Sequence, residues 1–595
     1  MTSWGLRGAY VCALALAVAP VARALPPTFA HDIAPLVYRK CAPCHHPGEA
    51  APFSLLTYED VKKRAALIAK VTHSGYMPPW LPEHGYGDFA EERRLTPEEI
   101  GTIAAWVAAG APQGPAADTP PAPAFPDAWQ LGPPDIVLEA GTSFALPASG
   151  PDVYWNFIFT PGLTARHWVR AIEIRPGQRQ LVHHANLMVD RTGSARAQEA
   201  APGKGFPGMD VVLMRSPFDP EGHFLFWKPG NTPHVEPDGF AWRLDPGNDL
   251  VLNMHLQPSG KPEQVRPSIG LYFTDRPGTK FPLLIELEND AALNIPAGAN
   301  DFVVSDDFRL PIDADILAVY PHAHYLGKLL EAWATLPDGS RKWLVRIPDW
   351  NSNWQAVYYY REPLFLPHDA VIHMRYHYDN SAANIRNRSH PPRRVTAGNQ
   401  ATDEMGHLWL QVLPRGPGDR RRELQEAMIR HRLEKNPNDF EAHMNLGAIE
   451  LSRLNAQAAV TELRTAERLA PDRPEIANML GLALAATGRN TEAIGQYAVA
   501  LRLRPGYASA RFNLATALAK TGKVDEAVEN LRQMLAESPQ DAAVKGRLAD
   551  VLTLRGVLLL RDGKREEAVA QFDEALKLDP ENEDARKNRE QALGH

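Results

Sequence analysis

Two kinds of residue cluster in this chain could do chemistry. Cys41, Cys44 and His45 spell C-x-x-C-H. In that arrangement two thiols bond covalently to a haem and the next imidazole becomes an axial iron ligand. Downstream, His183-His184, His255 and His322-x-His324 fall in three short strand-like clusters. The chain has 3 cysteines, and the third, Cys12, lies in an N-terminal apolar run. Any further redox metal must then be held by imidazole, thioether or oxygen. A blue-copper centre or a thiolate-bridged copper pair would need a free cysteine and is excluded.

Several domains must position these residues, because 595 residues are too many for one core. A formal net charge of -8 gives no broad basic surface and argues against nucleic acid as a partner. Residues 1–24 read as a signal peptide. Arg7 gives a weak positive start, Ala9 to Ala19 form the apolar run, and Ala22-Arg23-Ala24 supplies a small-x-small cleavage pattern. That run is short for a bilayer span, and no other stretch approaches ~20 apolar residues. The expected product is periplasmic or secreted, without a membrane span after cleavage. An uncleaved anchor is the alternative. Export fits the haem motif, since c-type haem is attached outside the cytoplasm.

Residues 25–115 read as a small all-α cytochrome c-like haem domain. TYEDVKKRAALIAKVTHSG has helical apolar spacing, and TPEEIGTIAAWVAAG reads as a helix with Thr96 at the cap, Pro97 next and Gly110 as the stop. Met77, in GYMPPW, is the expected sixth iron ligand, because a thioether stabilises reduced iron. Exported cytochrome c domains, which this segment resembles, use a methionine in such an MPP stretch. His46, His73 and His84 are the rivals. Residues 116–134, in a Pro/Ala-rich run that begins at 112, read as a linker.

Beyond Asp135 the pattern becomes short aromatic and β-branched segments, YWNFIFT, DLVLNMHL, ILAVYPHAHYL and AVIHMRYHY, with turns such as PGN, PDG and LPDG between them. This predicts two antiparallel β-sandwich domains, over 135–279 and 280–415. His322 and His324 share one strand face. His183 and His184 are adjacent and serve one metal only at a strand end or bulge. His255 is on the other strand phase from Leu252 and Met254, as on a polar face opposite a core face. Each histidine alone reads as structural, but together they read as metal ligands. His373 and His377 share a strand face with Arg375 and read as a polar face.

The C-terminal residues repeat. Pro437, Pro471, Pro505 and Pro539 are one period apart, as are Ala459, Ala493 and Ala527; Gly563, Ala568 and Pro580 follow a longer step. The period, with NLGAIEL, MLGLALAATGRNTEAI and NLATALAKTGKVDEAV, resembles the tetratricopeptide repeat. An α-helical solenoid over 424–595 and a protein partner on its concave face are expected. An end-stabilising appendage is the bland alternative.

VHHANLMV, the run from FWKPGNTPHVEPDG to LVLNMHLQPSGKP, YPHAHYLGK and TDEMGHLWLQV resemble, in order, motifs of the copper type II, ascorbate-dependent monooxygenases. That family includes the peptidylglycine and dopamine β-hydroxylating enzymes. The resemblance implies two jelly-roll-like domains, each with one copper ion, facing across a solvent-filled cleft. His183, His184 and His255 would hold the electron-storing copper. His322, His324 and Met405 would hold the copper that meets dioxygen and substrate, the soft thioether favouring Cu(I). It implies insertion of one oxygen atom into a C–H bond, with an ascorbate-like reductant or a redox protein as donor, here alongside the haem c. Some residues depart from the pattern. Tyr320 stands where the peptide-hydroxylating relative has an arginine, His407 and Trp409 replace its Asn and Tyr, and the family's disulfides are missing. A small-molecule or peptide-like substrate is expected, without a carboxylate clamp. A copper–haem electron-transfer or copper-handling protein, or a repeat-based scaffold, remains the alternative.

Overall fold

The computed structural model describes Met1 and residues 25–49, 51–125, 129–209 and 222–594, so the expected signal segment lies outside the described residues. The chain forms two compact units, Met1–Trp80 with Glu92–Asp127 and Leu81–Glu91 with Ala128–His595.

The smaller unit is helical. Ala34–Lys40, Tyr58–Lys63, Ala65–His73 and Pro97–Ala108 enclose Phe29, Ile33, Val37, Val61, Ile68 and Trp106. Thr96 accepts from Glu99 N while the Glu99 carboxylate accepts from Thr96 N, a reciprocal cap with Pro97 as the first helical residue. Gly110, at φ 83°, provides the left-handed residue just past the helix end. The expected continuous helix over TYEDVKKRAALIAKVTHSG is two helices. At Arg64 the backbone tightens so that its N donates to Val61 O, and the guanidinium lies 4.2 Å over the Phe53 ring.

Two expected boundaries shift. Pro112 O accepts from Phe29 N and Trp106 Nε1, and Gln113 O accepts from Ala30 N, so the start of the Pro/Ala-rich run packs as part of the helical unit. Residues 81–91, expected inside the haem domain, belong to the larger unit. Phe89 is buried there against Tyr358 and Tyr360, Ala90 N donates to Tyr359 O, and Glu83 N donates to Arg346 O. Apolar burial and strand-edge pairing outweigh sequence proximity.

In the larger unit the strands form two groups that share no sheet. In the first, a sheet ordered Ile136–Glu139, Ser268–Thr274, His167–Arg175, Trp242–Leu244 shares a core with one ordered Phe206–Pro207, Val153–Phe159, Asp249–Leu256, Val182–Asp190, Phe226–Trp227. Val169, Leu244 and Leu271 of one meet Phe157, Leu252 and Met254 of the other. The second group has Leu283–Glu288, Gly406–Pro414, Ala314–Ala323 and Tyr358–Leu366 in one sheet. Phe302–Arg309, Val371–Tyr378, Gly327–Thr335 and Arg341–Ile347 form another. Strand Phe302–Arg309 buries every second residue from Val304, the period of a strand with one core face. The pairings within these four sheets are antiparallel.

Ten helices follow, from Arg421–Lys435 to Glu583–Leu593. Gly447, Gly481 and Gly556 lie where a Cβ would come within 2.6 Å of Leu463, Tyr497 or Phe572, so these three helix pairs close on a residue without a side chain. Ala515 takes the equivalent place in the third pair. The longer last step is absorbed in one helix. Ala542–Arg561 has 20 residues where Phe440–Ser452, Pro474–Ala486 and Ala508–Lys520 have 13. The first of the ten is anchored to the second sandwich through Asp306, a buried carboxylate that accepts from His431 Nε2 at 2.8 Å, Lys435 Nζ at 2.7 Å and Glu288 N at 3.1 Å.

Candidate metal centres

His183 and His184 are the second and third residues of strand Val182–Asp190, which follows the turn Arg179–Leu181 and pairs with the strand carrying His255. The ladder runs Val182 to Leu256 and then His184 to His255, so His183 is an extra residue in a bulge. That irregularity lets both adjacent imidazoles turn to one side. One nitrogen from each of His183, His184 and His255 lies within 4.8 Å of the others, the one such group among the described residues.

The hydrogen bonds fix which nitrogens remain. His255 Nε2 donates to Asp152 Oδ2 at 2.9 Å and its ring stacks on Tyr154 at 4.5 Å, which leaves Nδ1 as the lone-pair nitrogen. His183 Nε2 and His255 Nδ1 are both buried without a hydrogen-bond partner. Burial, then the neighbouring His255, pushes His183 down to about 4. Burial and the surrounding histidines hold His184 well below the ordinary imidazole value. Neutral imidazoles with idle nitrogens are what a late first-row metal requires. The His255 strand differs from expectation in one respect. Its polar phase is buried too, Asn253 donating to Asn156 Oδ1 at 2.7 Å beneath the histidine.

His322 and His324 project from the same face of strand Ala314–Ala323 and its end, with ring centroids 5.4 Å apart. His324 Nδ1 donates to Asp403 O at 3.0 Å, which leaves Nε2 for a metal. Met405 immediately precedes the neighbouring strand, Gly406–Pro414. The ladder pairs Ala323 with Gly406, and one further step places Met405 opposite His324. Glu404 ties the two together, since its Oε2 accepts from both His324 N and Met405 N while Oε1 accepts from Leu326 N. Burial pushes that carboxyl up to about 7 against the pull of these N–H groups. Trp350 Nε1 donates to Ala323 O and His324 O, and Tyr378 OH donates to Met405 O. Burial, followed by His324 and His407, keeps His322 well below the ordinary imidazole value.

His407, directly across from His322, is engaged elsewhere. Its ring sits between Glu286 at 3.0 Å and Asp290 at 3.2 Å. Burial opposes its charge, but these carboxylates prevail and raise it to about 10. His373 and His377 hydrogen-bond to Asp307 and Asp301, in keeping with a polar face.

The two histidine sets are not separated by a solvent-filled cleft here. Gln355, buried just after the short helix Ser352–Trp354, has Oε1 2.7 Å from His322 Nδ1 and from Tyr320 OH, and Nε2 3.2 Å from His184 Nδ1. Neither Gln355 nor Asp152 carries a sequence signal. Glu404 lies inside the TDEM motif, which by itself points only to the methionine.

In the helical unit, the turn after Ala34–Lys40 brings the C-x-x-C-H residues together. Cys44 N and His45 N both donate to Cys41 O. His45 Nδ1 donates to Phe53 O at 3.1 Å, leaving Nε2 for an axial bond. Cys41 and Cys44 form no disulfide, and burial pushes the Cys41 thiol up to about 12. Met77 N donates to Val71 O, fixing the loop after helix Ala65–His73. His46 stacks on Phe125 with centroids 4.0 Å apart.

Comparison with known proteins identifies one region. Tetratricopeptide repeat profiles match residues 450–508, 478–542 and 549–582. The C-terminal helices are tetratricopeptide repeats. Similar solved structures include YrrB, a TPR protein with an unusual peptide-binding site, at 21% identity and TM-score 0.25, covering 28% of this chain and 83% of that one. TTC0263, a thermophilic TPR protein of Thermus thermophilus, matches at 24% identity and TM-score 0.21, covering 29% and 91%. PilW, a type IV pilus biogenesis factor, matches at 23% identity and TM-score 0.24, covering 29% and 78%. No curated protein matches the chain.

Proposed function

We propose that the chain is an exported copper-dependent monooxygenase that hydroxylates a C–H bond with dioxygen. The observation that carries the reading is the convergence of His183, His184 and His255 with His183 Nε2 and His255 Nδ1 buried and unpartnered. A buried polar atom without a partner costs roughly 1–3 kcal/mol, and a metal ion at that point removes the cost. His322, His324 and Met405 supply a second, softer set with its tautomers already chosen. Copper bound there would supply electron transfer at the first set and dioxygen activation at the second.

This chain's own residues do the positioning. Asp152 orients His255, Glu404 fixes the backbones of His324 and Met405, and Trp350 holds the end of the histidine strand. Tyr320 lies beside His322 with Phe226 at 5.5 Å, giving the surroundings of His322 an aromatic character suited to an uncharged substrate portion. Cys41, Cys44, His45 and Met77 would hold one haem c as an electron source, alongside or instead of an ascorbate-like reductant. The repeats would engage a protein partner. No helix among the described residues is long and apolar enough to cross a membrane.

The test is metal analysis of the copper-loaded full chain with a haem stain on a denaturing gel, followed by oxygen uptake after reduction with candidate substrates present. Two coppers, one covalent haem and substrate-dependent uptake are expected. A single copper, or uptake that no substrate alters, refutes the assignment.

A further inference from the structure

We infer that Gln355 couples the two histidine sets: as placed, its amide leaves His322 Nε2 open to a metal and caps His184 Nδ1, so the set containing His184 takes a metal only by breaking that bond. The inference rests on the proposed function for the identity of the metal, and on hydrogen-bond chemistry for the rest.

A neutral imidazole carries one proton. For Nε2 to bind a metal, that proton must sit on Nδ1, and Nδ1 must then donate. His184 Nδ1 and His322 Nδ1 both face the same side-chain amide, whose ends are unlike: one is an acceptor oxygen and the other a donor NH2. As placed, Oε1 accepts from His322 Nδ1–H and from Tyr320 OH, and His322 keeps Nε2 free. Nε2 of the amide donates to His184 Nδ1, which must be an acceptor, so the proton of His184 is on its own Nε2. In that state His184 is closed to a metal at both nitrogens, one protonated and the other capped. Rotating the amide by half a turn exchanges the two histidines and leaves the exclusion in place. A glutamine therefore cannot serve as acceptor to both.

The bridge is well held. Gln355 is 4% exposed, so water does not replace the broken bond easily. His183 Nδ1 lies 3.1 Å from the same His184 nitrogen, whose single lone pair the two donors share, so a metal taken by His184 displaces both, and substitution of Gln355 removes the amide's share alone. The two sandwiches also meet where Gln411 Nε2 donates to Gly222 O at 2.6 Å, so residue 355 is held at this contact by more than its own bonds. The first metal binds at the set the amide leaves open. The second must break a buried hydrogen bond, which weakens it by about tenfold.

The full-length chain, stripped of copper, is titrated with Cu(I) against a chromophoric chelator. In the wild type the steps differ by the intrinsic preference of the two ligand sets plus this coupling. Gln355→Ala removes both ends of the bridge, so the second step is expected to tighten by about tenfold while the first weakens, having lost the acceptor of His322 Nδ1–H. Gln355→Glu offers acceptor oxygens to both Nδ1–H groups at once and is expected to tighten the second step likewise. Because Gln355→Glu retains a bridge, it also serves if the alanine variant folds poorly. Two copper steps that do not respond to either substitution overturn the inference while leaving the proposed function standing. A chain that binds no copper at either set overturns both.

Discussion

Removing the Asp152 carboxylate should weaken metal binding at the first histidine set and nowhere else. Asp152 Oδ2 accepts from His255 Nε2 at 2.9 Å, and this bond alone decides that His255 turns a bare Nδ1 toward His183 and His184. Hydrogen bonding to His255 is also the main reason the Asp152 carboxyl is held below its ordinary range, despite partial burial. A hydrogen bond to a charged acceptor is worth roughly 1.5–3 kcal/mol, and each 1.4 kcal/mol is about tenfold in a binding constant. Asp152→Ala should therefore lower Cu(I) affinity at this set by about 10- to 100-fold, the range typical of lost outer partners of metal-bound histidines. Asp152→Asn keeps an acceptor oxygen and loses the charge, so its loss should be smaller, about 2- to 10-fold. The assay is chelator competition on the copper-stripped chain, with the Cu–S signal in X-ray absorption reporting the Met405 set separately. Equal weakening at both sets, or none at either, would show that the carboxylate does not select the His255 tautomer.

Four further outcomes follow from the same geometry. Met405→His should keep copper bound at the second set but slow its reaction with dioxygen, because a harder ligand favours Cu(II); an unchanged reoxidation rate of the reduced protein argues against Met405 as ligand. Asp306→Ala should loosen helix Arg421–Lys435 from the second sandwich by about 2–4 kcal/mol, read as faster amide exchange across that helix. Asp306 is pressed upward by burial but held below its ordinary value of 3.8 by His431 and Lys435. Its contribution is therefore complete above that pH and fades as pH falls through the lowered value, so wild type and Asp306→Ala should converge in exchange rate under strong acid. Gly481→Ala places a Cβ 2.5 Å from the Tyr497 ring and should destabilise the repeats by about 1–3 kcal/mol, measured as a lower urea midpoint for their helical signal.

Much of the architecture is legible in the chain because it depends on local rules. The Thr96 cap and the Gly110 stop follow from backbone donors and a left-handed residue, whatever surrounds them. The repeat period survives in the ten helices because each pair packs on its neighbours alone. That His183 and His184 need a strand end or a bulge was legible too, since adjacent residues on a regular strand point to opposite faces, and the fold supplies the bulge. The transfer of residues 81–91 to the larger unit was not, for it depends on a buried site for Phe89 formed by Tyr358 and Tyr360, far along the chain. Nor was His407 as a charged partner of Glu286 and Asp290, because sequence does not say which carboxylates will face an imidazole across a sheet. The sequence determined which residues are suited to bind metal. Tertiary structure alone decided their tautomers and the Gln355 contact between them, because hydrogen-bond partners 103 residues apart, as in Asp152–His255, or 171 apart, as in His184–Gln355, become neighbours only when the sheets assemble.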